Sequence, residues 1–254
     1  MPLHFESYGC GSPLLILHGL FGSLENWRTL SKVFSQSYQV FVFDQRNHGR
    51  SPHSAIFNYR VMAEDLKEFV RQKGLSSIHL LGHSMGGKTA MQFALTYPEE
   101  INKLIVVDIA PKVYLPGHDD IFAALFSLEV QDLRSRQEAD DALAKHLPDL
   151  ALRQFLLKNL EREATGGFHW RINLEAIHKN YPEMLKGLEG DGQFHRPTLF
   201  IRGGNSEYIH PEDLPTIKAI FPQAQLVTIP HTGHWVHAEA PQEFAKVVLN
   251  FLAG

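Results

Sequence analysis

The sequence predicts an α/β fold in which helices cover both faces of a mostly parallel, twisted sheet. Two observations favour this class. Short apolar runs rich in branched residues alternate with longer amphipathic stretches, which is the pattern of parallel strands joined by helices. The chain also has 254 residues, of which 44% are hydrophobic. It is therefore long enough to bury a large core as one domain that carries an inserted subdomain.

Six apolar runs are predicted to be the strands of this sheet. They are residues 14–17, 40–43, 78–81, 104–107, 198–201 and 225–229. Amphipathic or helix-forming stretches between and after them predict the helices, since their apolar residues recur with helical spacing. These stretches are residues 58–72, 88–95 and 241–252, the last of which opens with a proline in its first turn.

The region from residue 112 to about 190 breaks this rhythm because it is helix-forming, charged and poor in strand patterns. We therefore predict that residues 1–111 and 191–254 form the core and that residues 112–190 form a helical lid above the carboxyl ends of the strands. Nine apolar residues of this region have two interpretations; they are Ile121, Phe122, Leu125, Phe126, Leu143, Leu147, Phe155, Leu156 and Leu160. They line an acyl pocket on the underside of the lid, or they pack the lid against itself and the sheet.

Composition excludes several classes of protein. The net charge is −4 and no lysine or arginine cluster stands out, so we expect no nucleic-acid partner. Cys10 is the only cysteine, which rules out an internal disulfide and a cysteine-based metal site. The first residues lack a signal-peptide pattern, and no apolar stretch approaches a membrane span. We expect a soluble cytoplasmic protein without stable membrane association; its oligomeric state is not predicted.

A serine between two glycines is the strongest motif of the chain. Residues 80–87 read LLGHSMGG, directly after an apolar run and directly before a helical pattern. This is the strand, sharp turn and helix of a nucleophile elbow, in which side chains at positions 82 and 86 would collide with neighbouring elements. Ser84 is the candidate nucleophile, placed at a helix N-terminus that favours negative charge. The alternative is a glycine-rich turn that caps a helix.

A second motif, HGLFG at residues 18–22, follows the predicted strand 14–17. A histidine and glycine at this place are typical of an oxyanion hole, which would use the backbone N–H groups of Leu20 and Met85. We expect His18 to hold the loop by a hydrogen bond rather than to act chemically. His18, Gly19 and Phe21 are expected to support the substrate pocket, together with His83 beside the serine.

The candidate general base comes from HTGHW at residues 231–235, between the last predicted strand and the last helix. Imidazole has an ordinary pKa of about 6.5, so it takes up and returns a proton near neutral pH. We favour His234 because it follows Gly233 on the loop after the final strand. His231 and His237 are the competing choices.

Three residues compete for the role of the carboxylate that should orient this histidine. The usual place, on the turn after the predicted strand 198–201, has Ser206 where an aspartate is expected. Glu207 would serve if the position had shifted by one residue. Asp108 follows the strand after the nucleophile helix and would lie at the same sheet edge as Ser84. We favour Asp108 over Glu207, and place Asp213 third.

The motifs together resemble those of the α/β-hydrolase superfamily over essentially the whole chain. GHSMGGKTA at 82–90, DQRNHGRSP at 44–52 and HGLFGS at 18–23 further resemble the bacterial esterase YbfF and its relatives. The resemblance implies a serine carboxylesterase with a helical lid, which needs no metal or organic cofactor. It also implies a triad acid at the position of Asp108.

The expected reaction is hydrolysis of small to medium acyl esters through an acyl-enzyme on Ser84. Acyl-CoA thioesters are a further substrate class that the resemblance implies. Other serine-triad reactions of this fold remain alternatives, among them those of thioesterases, C–C hydrolases and haloperoxidase-like enzymes. An inactive binding protein is a further alternative, disfavoured because Ser84 and His234 are both present. Lys88 either binds a substrate carboxylate or, as we prefer, is a structurally paired helix residue.

Overall fold

Nine strands and eleven α-helices form the computed structural model, which describes residues 1–254. The strands are β1 (Phe5–Tyr8), β2 (Ser12–Leu17), β3 (Tyr38–Phe43), β4 (Ile78–His83), β5 (Ile101–Val107), β6 (Leu160–Arg162), β7 (Phe168–Trp170), β8 (Thr198–Gly203) and β9 (Ala224–Ile229). The helices are α1 (Arg28–Phe34), α2 (Tyr59–Lys73), α3 (Met85–Thr96), α4 (Asp119–Phe126), α5 (Arg136–Leu143), α6 (Leu150–Leu157), α7 (Leu174–Lys179), α8 (Tyr181–Leu185), α9 (Leu214–Ile220), α10 (Val236–Glu239) and α11 (Pro241–Ala253).

The central sheet has seven strands in the order β1-β3-β2-β4-β5-β8-β9, and all neighbours are parallel except β1 and β3. The α/β-hydrolase fold class is therefore confirmed. The six predicted strands are all present, with ends that differ by up to three residues. The sequence analysis missed β1, an edge strand of only four residues that pairs with β3 from Phe5 to Tyr8.

Each strand contributes to two cores because successive side chains point to opposite faces of a sheet. Leu15 and Leu17 of β2 pack with residues of α2 and α3 in one buried cluster. Leu14 and Ile16 pack with residues of α1 and α11 in another. The sheet is thus covered by helices on both faces, as the sequence predicts, and its carboxyl edge remains open for a site.

The inserted segment, residues 112–190 between β5 and β8, contains α4 to α8 and the antiparallel pair β6–β7. It has a third buried cluster, which includes Phe21 and Met85 from the core. Of nine apolar residues that the sequence analysis considered for an acyl pocket, most pack in this cluster. These are Phe122, Leu125, Leu143, Leu147, Leu156 and Leu160. The division into core and lid at residues 112 and 190 stays a prediction.

Lys88 joins the two ends of the inserted segment. Its side chain is buried, and Nζ donates to the backbone oxygens of Lys112, 2.9 Å away, and of Lys186. Burial lowers the pKa of Lys88 to about 8. The preferred interpretation of Lys88 as a structurally paired residue agrees with these contacts, since its donors are used by the protein itself.

No helix in this structure is both sufficiently long and sufficiently apolar to cross a membrane.

Candidate active site

Ser84 occupies the turn between β4 and α3 with φ of 52° and ψ of −118°. This conformation is strained for a residue with a side chain, and such strain clusters at functional sites. The flanking glycines make the turn possible. A Cβ at Gly82 would lie 2.1 Å from Gly86 O, and one at Gly86 would lie 2.6 Å from Leu17 O. The predicted steric need for both glycines is confirmed, and Ser84 lies at the N-terminus of α3.

His234 and Asp108 form a hydrogen-bonded pair beside this turn. The distance from His234 Nδ1 to Asp108 Oδ2 is 2.8 Å. Because a carboxylate oxygen only accepts, Nδ1 carries the proton and Nε2 keeps a free lone pair. The structure has no hydrogen bond between Ser84 Oγ and His234, a bond that commonly tightens only when substrate binds. The arrangement gives His234 the tautomer that a general base needs.

The carboxylate of Asp108 is completely buried, and both of its oxygens accept hydrogen bonds. Gly203 N donates to Oδ1 over 3.0 Å, and Ser206 Oγ donates to Oδ2. The residue at the usual acid position thus supports the carboxylate from the neighbouring strand end. Asp108 has a φ of 52°, so its backbone is strained like that of Ser84.

The two other candidate acids lie elsewhere. The side chain of Glu207 is 88% exposed and is 3.6 Å from His210 Nε2. Asp213 accepts a hydrogen bond from Lys112 Nζ over 2.6 Å. Neither carboxylate contacts His234, and only Asp108 is brought to its imidazole.

The loop that carries His234 is held on several sides. Tyr208 stacks on the imidazole with ring centroids 3.9 Å apart. His83 Nε2 donates to His234 O over 2.9 Å. Glu239 accepts from the N–H groups of the two residues flanking His234, namely Gly233 at 2.7 Å and Trp235 at 3.2 Å. These contacts leave the His234 imidazole little freedom to rotate.

The competing histidines are placed differently. His237 is buried and stacks on Trp27 with ring centroids 4.3 Å apart. Burial, with a smaller contribution from His234, lowers the pKa of His237 to about 3. His231 is exposed on the surface at a φ of 61°. Neither residue pairs with Asp108.

Leu20 and Met85 carry the candidate oxyanion donors, since Leu20 lines the same cavity as Ser84 and Met85 directly follows Ser84. Met85 is the first residue of α3, so its N–H has no partner within the helix. The N–H of Leu20 makes no hydrogen bond within the protein, whereas that of the next residue, Phe21, donates to His48 Nε2. Neither N–H is used in a hydrogen bond within the protein, and their role as an oxyanion hole stays a prediction.

Two buried neutral histidines hold the loop that carries Leu20. His18 Nδ1 donates to Gly19 O over 2.7 Å, and its Nε2 accepts from Gln45 N over 3.0 Å. His48 Nδ1 donates to Arg46 O over 2.9 Å. Burial lowers the pKa of His18 to about 4, and burial, with a smaller contribution from neighbouring His18, lowers the pKa of His48 to about 3. Both rings have the structural role that we expect for His18.

These buried histidines predict that the protein loses stability in mild acid. His18, His48 and His237 stay neutral in the fold but titrate near pH 6.5 when the chain unfolds. Stability is therefore complete above pH 6.5 and falls as the pH decreases from there towards about 4 for His18 and about 3 for the others. At pH 5.5 we expect each histidine to cost on the order of 1 kcal/mol. Urea unfolding at pH 7.5 and 5.5 measures this; equal unfolding free energies would contradict it.

Ser84 and His234 open on a cavity of about 660 Å³ between the sheet edge and the inserted segment. Its apolar wall includes Leu20, Phe21, Ile121, Leu152, Phe155 and Trp235. The rings of Phe155 and Trp235 meet with centroids 5.6 Å apart. Of the nine apolar residues considered above, only Ile121 and Phe155 line the cavity. No group of three or more His, Cys, Asp or Glu side chains is placed to hold a metal ion.

The fold and this strand-end serine site define the class of protein. A family model for the alpha/beta hydrolase fold matches residues 12–241, and the chain belongs to that family. It is 42% identical over 248 residues to "sn-1-specific diacylglycerol lipase ABHD11" of Mus musculus, covering 94% of this chain and 80% of the mouse protein. It is 37% identical to "Esterase YbfF" of Escherichia coli over 95% of this chain and 93% of that protein. The resemblance to YbfF and its relatives is confirmed.

A solved structure supports the same assignment. The chain matches "Marine microorganism esterase" with a TM-score of 0.97 and 45% identity, over 98% of this chain and 99% of the other. The agreement includes the inserted segment, since almost the whole of each chain is covered.

Three positioning residues escaped the sequence analysis. Ser206 was noted only as a departure from the usual acid. His48 belongs to the segment 44–52, which was used only for the family resemblance. Its contact with the loop of residues 19–22 had no sequence signal of its own. Glu239 stands five residues after His234, just before the predicted helix 241–252, and no motif marked it. Only the folded chain brings these groups to the site.

Proposed function

We propose that this protein is a serine carboxylesterase that hydrolyses small to medium acyl esters through an acyl-enzyme on Ser84. The observation that carries the proposal is the Asp108–His234 hydrogen bond of 2.8 Å beside a strained serine on the same cavity. That the chain is an α/β-hydrolase of the esterase and lipase type follows from its relatives.

The proposed reaction begins when His234 Nε2 takes the proton of Ser84 Oγ as the oxygen attacks the ester carbonyl. The carbonyl oxygen becomes negative and accepts from the N–H groups of Leu20 and Met85. Collapse breaks the C–O bond to the alcohol, which receives the proton from His234. Water then attacks the acyl-enzyme, and the same imidazole takes its proton and returns it to Ser84 as the acid leaves.

The cavity supports an uncharged acyl ester as substrate. Its wall is largely apolar next to Ser84, which suits an acyl chain. Among the charged residues of the lining, Glu25 and Glu239 stand against a single cation, Lys158. A CoA thioester carries several phosphate charges, and this balance does not favour them. We therefore propose that acyl esters are better substrates of this protein than CoA thioesters.

Substrate comparison tests the proposal. We expect p-nitrophenyl acetate, butyrate and octanoate to be hydrolysed, with kcat/KM at least about tenfold above that of CoA thioesters with matched acyl groups. A 1,2-diacylglycerol belongs in the series because the mouse relative is named a lipase for that class. Rapid mixing should give a burst of up to about one equivalent of p-nitrophenol if deacylation is slow.

A covalent trap locates the nucleophile independently of substrate preference. A p-nitrophenyl alkylphosphonate should add one phosphonyl group to the peptide that contains Ser84, as detected by mass spectrometry of a digest. Labelling of another residue, or hydrolysis of none of the esters, would contradict the proposed function.

A further inference from the structure

The loop of residues 19–22 presents the Leu20 N–H, and its peptide groups are fixed one after another. Gly19 O accepts from His18 Nδ1 over 2.7 Å and from Gly22 N over 3.0 Å. In a trans peptide the C=O and N–H groups point in opposite directions. Holding Gly19 O therefore fixes the direction of the Leu20 N–H in the same peptide.

The next peptide is held from the core. Phe21 N donates to His48 Nε2 over 3.2 Å, and His48 is completely buried. Phe21 has a φ of 60°, a conformation that a phenylalanine keeps only when its surroundings impose it. The hydrogen bond to His48 supplies one such constraint on the amino side of Phe21.

The constraint on the carboxyl side comes from the inserted segment. Asn159 Nδ2 donates to Phe21 O over 2.7 Å, and Asn159 is 2% exposed. The backbone oxygen of Asn159 accepts from Arg171 N over 2.8 Å, which fixes its own position. Asn159 lies two residues after the end of α6, whose Leu152 and Phe155 line the cavity.

We propose that Asn159 is a positioning residue through which the inserted segment holds the oxyanion loop in its active form. The inference rests on the proposed function, since it assigns the Leu20 N–H to the oxyanion. Without the Asn159 hydrogen bond, the strained Phe21 relaxes towards an ordinary conformation and the Leu20 N–H turns away from the oxyanion. The developing charge is then less stabilised, while the apolar cavity that binds the ground state is unchanged.

The test compares two asparagines of the inserted segment. Asn159→Leu removes the donor to Phe21 O with little change of size. Asn180→Leu is the matched control, because Asn180 Nδ2 donates to Ala55 O of the core over 3.0 Å and does not contact the loop. With p-nitrophenyl butyrate, N159L should lower kcat about 10- to 100-fold at nearly constant KM, somewhat less than removal of an oxyanion donor itself. N180L should stay within about twofold of the wild type.

A boronic acid separates positioning from general damage. Butylboronic acid forms a tetrahedral adduct on a reactive serine, so N159L should weaken its inhibition by a factor similar to the loss of kcat. Circular dichroism and thermal unfolding check that the variant folds. If N159L does not fold, Asn159→Asp, which keeps the size but places an acceptor against Phe21 O, carries the same expectation.

Two outcomes would overturn the inference. One is that the kcat of N159L equals the kcat of N180L; where N159L does not fold, the kcat of N159D is compared instead. The other is a loss confined to KM, which would make Asn159 a support of the cavity wall only. If the wild-type protein hydrolyses no ester, the proposed function itself fails and this inference falls with it. Active wild type with an unaffected Asn159 variant overturns this inference alone.

Discussion

Replacing Ser84 by alanine is expected to abolish ester hydrolysis, with kcat falling about 10⁶-fold towards the rate of the residual, non-covalent reaction. The reason is that no other hydroxyl stands at the N-terminus of α3 with His234 on the same cavity. The fold should persist, because the change removes one oxygen atom from a half-buried side chain. Initial rates with p-nitrophenyl butyrate and the thermal midpoint measure the two effects.

The matched control for this change is Ser77→Ala. Ser77 has a φ of 51°, almost the same as that of Ser84, but it is exposed and precedes the opposite end of β4. It controls for the effect of alanine on a strained backbone, and its activity should equal that of the wild type. Ser84→Ala protein that keeps more than about one hundredth of the activity would place the nucleophile elsewhere.

Asp108→Asn is expected to lower kcat about 10⁴-fold, as in other serine triads whose aspartate becomes an amide. Gly203 N donates to Oδ1, so the asparagine keeps its oxygen there and turns its NH2 group towards His234. The imidazole must then accept at Nδ1, which places its proton on Nε2. In that tautomer His234 cannot take the proton of Ser84, although the site keeps its shape.

Glu207→Gln is the control, since Glu207 is the acid that the turn after β8 would supply. Its side chain is exposed and does not contact His234, so kcat should stay within about twofold. The reverse result, with Glu207→Gln inactive and Asp108→Asn active, would move the acid to that turn. A pH profile of kcat for Asp108→Asn adds a second readout, because a wrong tautomer lowers the rate across the whole neutral range.

Much of the fold was predictable because local sequence determines it. The strands β2, β4, β5 and β8 are buried on both faces, so they appear as continuous apolar runs. Edge strand β1 and the three-residue strands β6 and β7 escaped, because so short a segment has no periodicity to detect. Their formation depends on the partner strand rather than on their own residues.

The residues of the candidate site also divide into those that local sequence predicts and those that only the structure identifies. Ser84 and its flanking glycines were recognisable because a strained turn between a strand and a helix needs particular residues at fixed spacing. The carboxylate was favoured at Asp108 but not decided, since Asp108, Glu207 and Asp213 all follow predicted strands. The structure distinguishes them through contacts between residues far apart in the chain. Asp108 and His234 are 126 positions apart, and Asn159 and Phe21 are 138 positions apart.

The sequence by itself determined the parallel sheet, the elbow at Ser84 and the family, because burial patterns and backbone strain are properties of neighbouring residues. Only the tertiary structure decided that Asp108 meets His234, that Ser206 supports this carboxylate and that Asn159 reaches the oxyanion loop. The physical reason is that a hydrogen bond requires atoms within about 3 Å. Such a distance between remote residues is set by the packing of whole elements, which no local pattern specifies.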